Sequence, residues 1–416
     1  MDKFDRQTES EKISVEPKKT KNELDIDEIK YQNRSQTDNP VNKSIGKKVF
    51  KLKDIKIGSR KDIWYASIVA IILLSIAFFS TDGFRMLKFD NEPKRTLLSV
   101  DAYFQEQEIF PVYLIYLRNS KQGLLDLTIT NPDIIDKNVE IQYGFTDFGE
   151  MQNQTVKIES GSVKKIPLTP YSSKLKFLES PKNATLLVKV TDEQNKVLYS
   201  NLWTVKVNPG DEIPWKIKNK DYTNLIASWV TPENRFVQEL VRKAKDKNNG
   251  VFIPANNMND EEFRNFVKDI FNTVKEEGIT YNKSKISFDE GSSQRIRLPG
   301  QTLKTKSANS IDASILLASL FENVGLKPYI VILSEHAIIG VARPQHENEK
   351  IFIETSLLGR STIQSILSFE SAFTSATKSG KEAYNKAYSN SVNHAGGKLI
   401  VIDVHKARQE KVLPLN

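Results

Sequence analysis

The chain has no cysteine in 416 residues. Disulfides, thiolate nucleophiles and thiolate metal ligands are excluded together, a composition that suits an exported protein without fixing its compartment. Histidine is scarce, with four in the chain. His346 falls in a turn-like stretch, while His394 and His405 flank the C-terminal strand pattern 399–404. None of these has Asp or Glu spaced to complete a ligand set, so neither a metal nor a cofactor is expected. Zinc-finger, P-loop and dinucleotide-binding patterns are also missing.

What is present is ordinary for a globular protein, with 39% hydrophobic and 27% charged residues, apart from a net charge of +8. Much of that excess lies in Lys43, Lys47, Lys48, Lys51, Lys53, Lys56, Arg60 and Lys61, against Asp54 and Asp62. This cluster points to anionic lipid headgroups, and nothing in it calls for nucleic acid.

Residues 1–46 are polar and poor in apolar side chains, which predicts a disordered cytoplasmic tail. A basic juxtamembrane segment follows at 47–62. Residues 63–80 read as a transmembrane helix, because the uncharged run 63–79 makes about 26 Å of helix at 1.5 Å per residue. The basic flank then predicts a single-pass protein of the inner (cytoplasmic) membrane, N-terminus in the cytoplasm and later domains extracytoplasmic, periplasmic in a Gram-negative cell.

Residues 81–109 read as a stalk. From 110 to 208, short alternating runs separated by turn residues predict an immunoglobulin-like β-sandwich of about seven strands, the first at Val112–Tyr116. Pro209–Trp215 reads as a junction. Apolar stripes then predict one helix around Phe236, Leu240 and Val241, and a second from Phe263 to Val274 that ends at Gly278. The fold class expected is α+β.

The remaining pattern gathers around residues 306–328. Ser307, Asn309 or Ser310 can cap a helix whose apolar positions include Ile311, Ile315, Ala318 and Phe321, with Gly325 and Pro328 as its stop. Three β-rich runs follow, and the last two form a hairpin around 343–348. A turn centred near Gln345 or His346 sets His336 opposite Glu354 or one diagonal step away. A hydroxyl at a helix start, an imidazole and a carboxylate thereby converge. Arg295 and Arg297 alternate with apolar neighbours just upstream. They either bind a carboxylate or phosphate, or pair structurally with Glu290 or Asp312.

These motifs resemble the transglutaminase-like superfamily of papain-like fold, in its bacterial membrane-anchored members. The resemblance rests on Ala308-Asn309-Ser310-Ile311-Asp312, Glu335-His336-Ala337-Ile338 and Ile353-Glu354-Thr355. The stretches 229–232, 278–281 and 294–299 extend it over about 222–408. It implies a catalytic trio of Ser310, His336 and Glu354, with Asn309 as oxyanion donor, and Arg295, Arg297, Asp312 and Glu335 facing a ligand. The family's Cys is Ser310 here, and its flanking glycines are Ala308 and Glu335. A serine hydroxyl stays protonated near neutral pH and gains little from a helix dipole, so it needs His336 as general base. Glu335 would repel a developing oxyanion.

The expected function is a membrane-tethered extracytoplasmic protein whose degenerate domain binds a protein, peptide or cell-wall ligand without catalysis. Two alternatives stand beside it: a serine-dependent hydrolase or acyltransferase using Ser310, His336 and Glu354, and a structural subunit of an envelope complex.

Overall fold

The helix Ser310–Asn323 is apolar nearly all round, and every residue from Ser310 to Phe321 is buried. A helix without a polar face must be covered on all sides, and this one is the centre about which the C-terminal half is built. The structure is a computed structural model that describes residues 97–247, 253–284, 292–359, 371–393 and 398–415. It is α+β, with several sheets.

A four-stranded antiparallel sheet packs on the central helix, in the order Ile351–Ile353, Ala337–Ala342, Lys327–Leu333, Leu399–Asp403. All six residues of Ala337–Ala342 are buried, as a strand covered on both faces requires. The amphipathic helices Arg235–Lys247 and Asp260–Glu276 turn Val237, Leu240, Val241, Phe263, Phe266 and Ile270 into the same core. The second of them opens on a capping box between Asn259 and Glu262.

Nearer the N-terminus, two sheets share a second core. One has the order Ser99–Tyr103, Leu125–Thr130, Val163–Leu168; the other has five strands, centred on Lys182–Asp192 and Lys137–Phe145. Leu127, Ile129 and Leu168 from the first meet Ile141, Leu186, Val188 and Val205 from the second.

Two features differ from expectation here. Ser99–Tyr103 is a strand inside the stretch read as a stalk. Val112–Tyr116, read as a strand from its β-branched and aromatic residues, lies in the helix Pro111–Asn119. Proline at the first helical turn presets the backbone there. The helix also serves both cores, with Val112 in one and Leu114 and Leu117 in the other. Helical spacing turns side chains toward more than one neighbour, whereas a strand would confine them to two opposite faces. Tyr113 meets Tyr222 edge-on at 4.9 Å between ring centroids, and their hydroxyls lie 3.3 Å apart.

The membrane expectations need correction. No helix among the described residues is long and apolar enough to cross a membrane. The central helix has 14 residues, about 21 Å at 1.5 Å per residue, short of a roughly 30 Å hydrocarbon layer. The longest helix among the described residues, Ala372–Val392, carries Lys378, Lys381, Glu382 and Lys386. The run 63–79 lies outside the described residues, as do the tail, the juxtamembrane segment and most of the stalk. The single-pass and inner-membrane placements therefore find no support. The described residues, which begin at 97, belong to one compact unit.

Candidate functional site

Of the three capping candidates in the sequence, Asn309 is the N-cap of the central helix. Its side chain accepts the Asp312 N–H at 2.9 Å, and the Asp312 carboxylate accepts the Asn309 N–H at 3.3 Å. The cap thus engages Asn309 in holding the helix start. Ser310, the first helical residue, is 2% exposed, and its Oγ accepts the Ala337 N–H at 3.0 Å. That bond ties the helix start to the strand immediately after His336.

The strand pairing Ile339 with Ile353 and Val341 with Ile351 extrapolates to a turn centred on His346, with His336 one diagonal step from Glu354. His336 Nε2 lies 3.0 Å from Glu354 Oε2, which leaves Nδ1 as the ring nitrogen that Glu354 does not engage. Glu354 Oε1 accepts the Ser356 N–H at 3.1 Å. The Glu354 hydrogen bond raises the His336 pKa above its ordinary 6.5; burial and Lys283 oppose this, and the charges of Glu354 and Glu335 add to it. Burial pushes Glu354 upward, but its bonds to His336 and Ser356 prevail and hold it below the usual carboxylate value. Both shifts favour an imidazolium–carboxylate pair.

The other predicted site residues are placed as follows. Asp312 is 1% exposed and accepts from the Arg297 backbone N–H at 2.9 Å and from the Arg297 guanidinium at 2.9 Å. Burial raises its pKa, and the bonds from Arg297 and Asn309 offset only part of that. Arg295 grips Asp211 with two nitrogens at 2.8 to 3.0 Å. Both arginines therefore hold carboxylates of the chain itself, and Arg297 takes the Asp312 partner that the sequence left open. Glu290 lies outside the described residues. Glu335 is exposed beside His336.

Two residues join the site that sequence reasoning did not assign to it. Tyr281 pairs in register with Ala308, and its phenol feels a hydrogen bond from Ser310 and the charge of Glu354. Burial and the Glu354 charge raise its pKa, while the Ser310 hydrogen bond works the other way. Thr355, fully buried, donates to the Ala337 carbonyl at 3.1 Å, and the Ser310 carbonyl lies 3.4 Å from the same hydroxyl. One side chain, just past the strand Ile351–Ile353, thus touches the helix start and the strand that begins after His336. Its position next to Glu354 was the available signal, but a β-branched residue at a strand end reads first as packing.

No known protein family matches the chain, and no curated protein matches it. Among solved structures, it aligns with a candidate late embryogenesis abundant protein at 16% identity, over 35% of this chain and 87% of the other, with a TM-score of 0.17. A candidate protease from Parabacteroides distasonis aligns at 9% identity over 55% of this chain and 62% of the other, with a TM-score of 0.21. A family 76 glycoside hydrolase from a bovine Bacteroides thetaiotaomicron strain aligns at 10% identity over 40% of each chain, with a TM-score of 0.13. Likenesses this loose carry no argument about fold or activity. The transglutaminase-like resemblance gains no support from them and stands on its motifs alone.

The strand that delivers Glu354 is braced from outside by the helix Ala372–Val392. The Glu354 N–H donates to the Ala376 carbonyl at 3.0 Å. A Cβ on Gly380 would lie 2.7 Å from the Phe352 carbonyl oxygen and 2.8 Å from the Glu354 nitrogen. Alanine in place of glycine inside a helix ordinarily gains about 1 kcal/mol. Here Gly380→Ala is expected to destabilise instead, because rigid backbone must move. It should also shift the His336 imidazole titration seen by NMR, since the moving strand carries Glu354. A stabilised variant with an unchanged titration would show that the contact is slack.

Proposed function

We propose that residues 222–408 carry a degenerate transglutaminase-like site that binds a protein, peptide or cell-wall ligand without covalent chemistry. Within this reading, the two-sheet layer upstream is an immunoglobulin-like module that supports the site. The observation that carries it is the Ser310 Oγ, buried and accepting the Ala337 N–H. In that position the hydroxyl satisfies a buried backbone donor, and leaving such a donor unpaired costs about 1–3 kcal/mol. A thiol is a poor acceptor for that bond, so serine serves this structural task better than the cysteine of the family motif.

The electrostatics support the same reading. The paired His336 and Glu354, with the exposed Glu335 beside them, offer a polar ligand an imidazole nitrogen and carboxylate acceptors.

A serine-reactive phosphonate and a panel of peptide amides test this. Wild type is expected to show neither labelling nor turnover, and Ser310→Ala is expected to lose about 1–3 kcal/mol of stability through the orphaned Ala337 N–H. Labelling or turnover that requires both Ser310 and His336 would establish the serine hydrolase reading in its place.

A further inference from the structure

A cavity of about 680 Å³ runs along the helix Ala372–Val392, and none of Ser310, His336 or Glu354 lines it. Its cations are Arg264, Lys350, Lys378 and Lys381; of the carboxylates, only Glu349 lines it among the described residues. That carboxylate is already held by Arg343 at 2.7 Å. Lys350 is engaged as well, with its ammonium 4.4 Å from the centre of the Tyr329 ring. Lys378 and Lys381 are exposed, one helical turn apart, and neither has an ion-pair partner among the described residues. The groove therefore presents unneutralised positive charge.

The aromatic residues in its wall narrow the ligand class. Phe352 stacks on Tyr384 at 4.0 Å and an interplanar angle of 14°, and Tyr384 stacks on Tyr388 at 6.2 Å. The other face of Phe352 packs against Gly340, where an added Cβ would lie 3.0 Å from the ring. Phe352 and Tyr384, the rings that line the groove, are flanked by their own neighbours, and stacking of a base or a sugar needs an open face; Tyr388, 55% exposed, lies outside the lining. What remains for recognition is charge together with the hydrogen-bonding groups of Thr374, Thr377 and Asn385. Hydroxyls and amides of this kind both donate and accept, matching a peptide backbone. From Thr374 to Asn385 the helix rises about 16 Å at 1.5 Å per residue, the span of about five residues of extended chain.

We infer that this groove binds an acidic peptide segment of about five extended residues, with carboxylates seated on Lys378 and Lys381. The site is separate from the Ser310 cleft and does not depend on its reading.

The test is fluorescence anisotropy of fluorescein-labelled pentaglutamate and pentaglutamine with the full chain. Pentaglutamate is expected to bind saturably, with affinity falling as salt rises, and pentaglutamine is not. Lys378→Glu combined with Lys381→Glu should weaken pentaglutamate binding by about tenfold or more. Both positions are exposed, so the double variant should keep the wild-type circular dichroism spectrum and melting transition. His336→Ala should leave pentaglutamate binding unchanged, which separates the groove from the cleft. Equal affinity in the double variant, equal binding of pentaglutamine, or tighter competition by an anionic oligosaccharide than by unlabelled pentaglutamate would each overturn the inference. So would a loss of binding in His336→Ala equal to that in the double variant.

Discussion

Asp312→Ala is expected to destabilise the protein by about 2–4 kcal/mol, the largest stability effect of any single change considered. The carboxylate is 1% exposed and joins three groups: the Asn309 N–H, the Arg297 N–H and the Arg297 guanidinium. Alanine leaves two backbone donors without an acceptor and removes half of the capping box at the start of the central helix. Two effects limit the loss. Burial of the charge, which raises the Asp312 pKa, is relieved, and the Arg297 guanidinium, with its side chain 43% exposed, can turn to water. Asp312→Asn should fall between wild type and alanine, because it keeps one acceptor but points an amide donor at other donors. Urea unfolding measures the series. A loss below about 1 kcal/mol for Asp312→Ala would mean that the carboxylate does not bridge these elements.

Glu354→Gln is expected to lower the His336 pKa. The hydrogen bond and charge of Glu354 raise it, against burial and Lys283, and with the carboxylate gone only the exposed Glu335 still favours the protonated ring. The effect on stability has a defined pH window. A histidine whose folded pKa is raised contributes stability that is complete below its unfolded value of about 6.5 and is lost as pH rises through the folded value. Glu354, lowered from 4.5, contributes stability above that value that is lost as pH falls through its folded value. The two contributions overlap between about 4.5 and 6.5. Wild type should therefore exceed Glu354→Gln in melting temperature most strongly there, with the gap narrowing above neutral pH and in strong acid. Imidazole titration by NMR and thermal unfolding across that range check the two statements. A titration that does not move would mean that the ring and carboxylate are not paired in solution.

The sequence carried the local geometry of the site. Asn309 and Asp312 stand three apart before an apolar run, and that spacing is the capping box seen at the helix start. Period-two alternation and a turn near Gln345 or His346 narrowed His336 to a position opposite Glu354 or one diagonal step away, because hairpin register follows from turn position and side-chain alternation, and the strand pairing takes the second. The α+β class was legible for the same reason. Helical and strand periodicities are written within single segments, as at Phe263–Val274 and Thr185–Val190.

Partners distant in the chain were decided by the tertiary structure. The alternation of Arg295 and Arg297 suggested two guanidiniums toward one side, but only the fold brought Asp211 to one and Asp312 to the other. Pro111–Asn119 has the composition of a strand and folds as a helix, because it must reach two separate cores. Tyr281 and Thr355 belong to the site because the Ala308 pairing and the hairpin end deliver them there. Caps, turns and periodicity act through neighbours in the chain and so leave a mark in its order. Burial, ion pairing and the contacts of Ser310 Oγ depend on which segments fold against one another, and chain order alone does not specify that.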